Sequence, residues 1–160
     1  MTGSSLMAMA GAAALACGPA VAAESGGNYA TDLGRVYGAY QRVLAMKEAC
    51  DTVVPGARAA NGKAFAAWEV RHRALVQDLE RRVTAMIRLA SKDEQEYVRN
   101  VGKYQGTILL ERQEYRDMLI GLGADELREQ CQRMPDRLQG PEVDLSKVYA
   151  IELETISRRK

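Results

Sequence analysis

The residues with the most chemistry in this 160-residue chain are few: three cysteines, one histidine and one tryptophan. Cys50 and Cys131 can pair as a disulfide if the chain reaches an oxidising compartment. No Cys-x-x-Cys spacing occurs, so a redox-active pair is not expected. His72 is the sole imidazole, which excludes zinc centres built from several histidines. It follows Trp68 by four residues and precedes Leu75 by three, on one helical face, where a hydrogen-bonded core histidine is the expected role. The competing role is a haem, metal or small-ligand site beside Trp68, with Met46, Met86 or Met118 as second ligand to His72. A covalent haem would need Cys-x-x-Cys-His, which is absent. Methionines at helical spacing ordinarily fill cores, and no cofactor is expected.

The carboxylates and serines add no catalytic pattern. Glu111, Glu114 and Asp117 step by three, but no Glu-x-x-His accompanies them as a di-iron bundle would require. Beside Arg112 and Arg116 they read as a solvated helix face. No Gly-x-Ser-x-Gly is present to expose a serine nucleophile. An enzyme is not expected.

Charge leaves one surface to consider. The formal net charge is +1, which argues against a general nucleic-acid binder. Between Arg58 and Lys92, however, eight basic residues face three acidic ones. Arg71, Arg81, Arg82 and Arg88 therefore form a candidate interface for an acidic partner, arginine being the cation suited to paired carboxylates. The plainer expectation is that they answer Glu111, Glu114 and Asp117 across a helix pair.

The elements that must position these residues begin beyond a leader. Leu6 to Ala16 is almost wholly apolar, and Gly18-Pro19-Ala20-Val21-Ala22-Ala23 places small residues where a signal peptidase cuts. Residues 1–23 read as an export signal, although Met1 to Ser5 carries no Lys or Arg. The run is too short for a membrane span of about 20 residues, and Cys17 leaves with the signal. A single domain over residues 24–160, periplasmic or secreted, remains.

Within it the apolar period is helical nearly throughout. Leu33, Val36, Tyr37, Tyr40, Val43, Leu44 and Cys50 line one helix, ended by Pro55-Gly56. A second, starting between Ala57 and Lys63 and delayed by Asn61-Gly62, carries Phe65, Trp68, His72, Leu75, Leu79, Val83, Met86 and Ala90. Ser91-Lys92-Asp93-Glu94 reads as a capping box opening a third helix through Tyr97, Val101, Tyr104, Ile108, Tyr115, Leu119 and Leu122. Gly102 and Gly106 within it predict close approach of a neighbour, since each costs about 1 kcal/mol relative to alanine. A fourth helix carries Leu127, Cys131, Met134 and Leu138, with Pro135 expected to kink or restart it. A short helix capped by Asp144 or Ser146 runs through Ile156, before a solvated Arg158-Arg159-Lys160 tail. The expectation is an all-α bundle of four main helices plus a short C-terminal helix. Cys50 and Cys131 both face inward on different helices, so one inter-helix disulfide is expected.

The stretch Cys50-x4-Pro55 followed by Phe65-x2-Trp68-x2-Arg71 resembles small exported, disulfide-containing helical proteins of proteobacteria, of unassigned function. The resemblance covers the first two helices and implies periplasmic residence and a bundle. With no catalytic pattern, the expected role is contact with a protein of the cell envelope, as adaptor, inhibitor or immunity-like partner.

Overall fold

The computed structural model describes residues 28–159; the expected signal, 1–23, lies outside them. Six α-helices follow in order: α1 Tyr29–Val53, α2 Arg58–Leu89, α3 Glu94–Gly121, α4 Ala124–Arg137, α5 Leu145–Val148 and α6 Ala150–Arg158. The described residues contain no strand.

Helix α1 is the axis of the bundle. Its start is fixed by Asn28, whose side chain accepts from the Ala30 N–H at 3.1 Å, with Asp32 in the first turn to suit the positive helix end. It packs against α2, α3, α4 and α6, so it is buried on more sides than one apolar stripe would provide. Ala39, Ala45 and Ala49 are buried with Leu33, Val36, Val43, Met46 and Cys50. Those alanines let several neighbours close on one helix.

Pro55 ends α1 through a single 3-10 turn, Pro55–Ala57, and α2 begins at once at Arg58. Asn61-Gly62 does not delay it, and Asn61 is buried inside the first turns. The buried face of α2 is Asn61, Phe65, Trp68, His72, Val76, Leu79, Val83 and Ile87. This stripe steps by four or three throughout. It replaces the expected Leu75 and Met86, which are half-buried at its edge, and leaves Ala90 exposed.

The capping box lies two residues later than Ser91 predicts. Asp93 caps α3 by accepting from the Glu96 N–H at 2.7 Å, and Glu96 reaches back to the Lys92 N–H at 2.8 Å. Ser91 instead closes α2: its hydroxyl donates to the Ile87 carbonyl and accepts from Asn100. Serine and aspartate are comparable caps, and Ser91 is already taken up by the end of α2, which leaves the role to Asp93. The glycine expectation also fails, because a Cβ at Gly102 or Gly106 would meet nothing within 4 Å.

Gly123, at φ 110°, turns the chain into α4, a conformation that side chains other than glycine rarely adopt. Pro135 does not restart α4, which runs on to Arg137. So near the end, proline removes only the donor toward Cys131 and leaves two residues to complete the turn. Cys131 is bonded to Cys50 with a Cα–Cα distance of 5.3 Å across 81 residues, within the normal disulfide range. Closing a loop of that size stabilises by roughly 4–5 kcal/mol in the chain-entropy model.

The C-terminal segment is two short helices rather than one. Asp144 caps α5 by accepting from the Ser146 N–H at 3.1 Å, and Tyr149, at φ −112° and ψ 31°, breaks the chain before α6. Helix α6 returns to α1, where Ile156 joins Leu33, Val36, Leu79, Val83 and Ile87 in one cluster. A second cluster gathers Phe65, Trp68, Cys50, Cys131, Met134, Leu138 and Val143.

Candidate functional site

Trp68 and His72 sit one helical turn apart in the second cluster, both essentially sequestered from solvent, with ring centroids 4.5 Å apart. The indole stacks against Tyr40 and Phe65. Its N–H donates to the Val143 carbonyl at 2.9 Å. The His72 ring is engaged at both nitrogens. Nδ1 lies 2.9 Å from the Trp68 carbonyl, and Nε2 lies 3.3 Å from the Leu145 N–H and 3.5 Å from Asp144 Oδ1. A neutral ring with its proton on Nδ1 satisfies the Trp68 carbonyl and the Leu145 N–H together. Burial raises the Asp144 carboxyl pKa, but the adjacent His72 imidazole and hydrogen bonds from the Lys147 and Ser146 N–H groups outweigh it, so the carboxyl titrates below its usual range.

Together Trp68 and His72 are a clamp: two side chains of α2 hold the 141–145 segment against the core. Neither imidazole nitrogen is left facing a cavity for a metal or haem iron. Among the described residues no three histidine, cysteine or carboxylate side chains cluster as a metal site.

The arginines of α2 are distributed among contacts inside the molecule. Arg71 donates to the Leu138 carbonyl at 2.6 Å, tying α2 to the end of α4. Arg82 donates to Asp78 at 2.6 Å and to the carbonyls of Ile156 and Arg159 at 3.0 and 2.9 Å. That caps the C-terminal end of α6, where a cation opposes the helix dipole. The Asp78–Arg82 hydrogen bond lowers the carboxyl pKa of Asp78 and raises that of the guanidinium. Arg88 pairs with Glu94 and stacks over Tyr97, 4.6 Å from the ring centroid. Arg81 bonds Asp78 at 3.0 Å and is more solvent-exposed than Arg82 or Arg88. The acidic answer to these arginines is therefore Asp78 and Glu94, not Glu111, Glu114 and Asp117. Of the last three only Asp117 forms an ion pair among the described residues, with Arg116 beside it, while Arg112 pairs with Glu48 of α1.

A different surface emerges on α3. Only Leu119 of its 28 residues is buried. The inner stripe of Tyr97, Val101, Tyr104, Ile108 and Tyr115 is half-buried against α1. Burial pushes the Tyr104 hydroxyl pKa up to about 12, aided by Tyr37 and Glu111. Val98, Leu109, Leu110, Met118, Ile120 and the C-cap Leu122 are exposed, six of the ten exposed large apolar residues of the described chain. Met118 borders α1 beside Gly38 and Gln41, and Leu122, expected on the inner stripe, is not covered. Val98, Leu109 and Ile120 recur every eleven residues, which returns to nearly the same azimuth after three turns. Gln95, Gly102, Gln105, Gly106 and Gln113 flank this row, and Arg116, seven residues after Leu109 and four before Ile120, lies within it. The eleven-residue spacing is legible in sequence, but the seven-residue phase of the inner stripe conceals it.

Comparison with protein-family models, with curated proteins and with solved structures gave no match.

Proposed function

We propose that this chain is an exported binding protein of the cell envelope, acting by protein–protein contact through the outer face of α3. The observation that carries this reading is that six of the ten exposed large apolar side chains among the described residues lie on α3 or at its C-cap, on a helix with a single buried residue. Exposed apolar side chains concentrated on one element mark contact sites more often than the same side chains scattered over the surface do. The disulfide between Cys50 and Cys131 suits an oxidising compartment, and the apolar leader supplies the route to it. Among the described residues no helix is long and apolar enough to cross a membrane. Binding rather than catalysis is favoured because the buried histidine is committed to structure.

The basic face of α2 is the weaker interface candidate, since Arg71, Arg82 and Arg88 already serve internal carbonyls, carboxylates and an aromatic ring. The decisive experiment places a photo-crosslinking side chain at position 109 of the exported chain and, separately, at position 81. A discrete crosslinked protein from position 109, lost in V98E/L109E at unchanged melting temperature, is the expected result. Crosslinking from position 81 alone would move the interface to α2, and crosslinking from neither would overturn the reading.

A further inference from the structure

A cavity of about 130 Å³ lies between the middle of α1, the end of α4 and the segment after it. Its floor is apolar: Ala39, Val43, Met46, Val143 and Leu145 are all buried. Its rim carries Arg42 and Arg137 with Tyr149 and Glu142.

The two guanidinium groups are unusual in what they touch. Arg42 Nη2 donates to the Tyr149 hydroxyl at 3.3 Å, and Arg137 Nη1 lies 3.7 Å from the Met46 sulfur. A phenol is a neutral acceptor and a thioether a weak one, whereas guanidinium keeps its charge at any physiological pH. Neither arginine has a carboxylate partner among the described residues, although Arg112 and Arg116 nearby both do. The one carboxylate on the rim, Glu142, forms an ion pair with neither arginine. Glu142 lies against Gly140, in the space that a Cβ at Gly140 would need.

Alkyl stems of arginine do cover apolar surface, and that would explain Arg137 over Met46. It does not explain a second unpaired guanidinium at the same concavity. An apolar hollow with a few charged groups at its mouth is the general form of a small-ligand site.

We propose that this cavity binds a carboxylate carried on a compact apolar group. The alkyl part displaces water from Val43, Met46 and Leu145, and the carboxylate accepts N–H bonds from Arg42 and Arg137, the pairing for which guanidinium geometry is suited. The volume equals that of roughly four liquid waters, which suits a branched group of isobutyl size. This chemistry has two sources, a free short-chain acid and the C-terminal residue of a polypeptide.

Backbone N–H chemical shifts of the disulfide-bonded chain, followed by NMR during titration, test the site. The probes are isovalerate, N-acetyl-leucine and N-acetyl-leucinamide. The expected result is saturable shifts centred on Val43, Met46 and Leu145 with one or both carboxylates, and at least tenfold weaker binding of the amide. R137Q and R42Q should each weaken the carboxylates about tenfold while leaving the fold's spectrum intact. Binding of isovalerate points to a free acid, and binding of N-acetyl-leucine alone points to a chain end. Equal binding of the amide, no saturable shift with either acid, or indifference to both arginine variants would overturn the proposal.

Discussion

Helices α2 and α3 are nearly matched in length, 32 and 28 residues, and both are rich in charge. Eight residues of α2 are buried and only one of α3. The difference is not one of helix propensity. It comes from neighbours: α2 is pressed by α1, α4 and the 141–145 segment, while α3 leans chiefly on α1. One helix therefore spends its side chains on holding the fold, and the other leaves most of its apolar side chains exposed or half-covered. Two helices of one bundle can thus look alike in composition and differ widely in what they bury.

The comparison is sharpest at Trp68. Its complete burial, its indole hydrogen bond to Val143 and its stacking on Tyr40, Phe65 and His72 predict a loss of about 3–5 kcal/mol in Trp68→Ala. Urea unfolding of the oxidised protein measures it. A loss under 1 kcal/mol would mean that α2 is not the anchor described.

A second break point is Arg82. Removing its donors from two terminal carbonyls of α6 in Arg82→Ala should cost about 1–2 kcal/mol, whereas Arg81→Ala, at an exposed pair, should cost under about 0.5 kcal/mol. Equal melting temperatures for the two variants would dissolve the distinction between structural and solvated arginines on α2.

The smallest effect has the opposite sign and belongs to α3. With open space around both positions, Gly102→Ala and Gly106→Ala should each stabilise by about 0.5–1 kcal/mol, through the helix itself and the unfolded chain. Destabilisation by either change, read as a lower melting temperature, would place a neighbour against α3 where none is described.

Much of this was legible before any coordinates. The apolar spacing located all four long helices, because each must bury one face and the 3.6-residue period records which. It also turned Cys50 and Cys131 inward, and their pairing follows. Periodicity fails where a choice depends on what stands opposite. Leu75 and Val76 are adjacent and both apolar, and only the position of α1 and α4 decides that Val76 goes in. Ser91 and Asp93 both fit a cap, and their order depends on where α2 stops. The partners of His72 and Trp68 lie 73 and 75 residues away in the 143–145 segment, with no local pattern to announce them. The Arg42–Arg137 cavity was invisible for the same reason, since its walls come from segments about ninety residues apart.

The return of α6 to the beginning of α1 also sets an order of events during synthesis. Leu33 and Val36, among the first core residues of the described chain to be made, share their cluster with Ile156, among the last, and Arg159 comes to rest over the Tyr29 ring. A ribosome delivers the chain from its N-terminal end over several seconds. Throughout that time the inner flank of α1 has no α6 to cover it. Of the described helices the one made first is thus the last to be enclosed, and its cluster cannot close before α6 has been made.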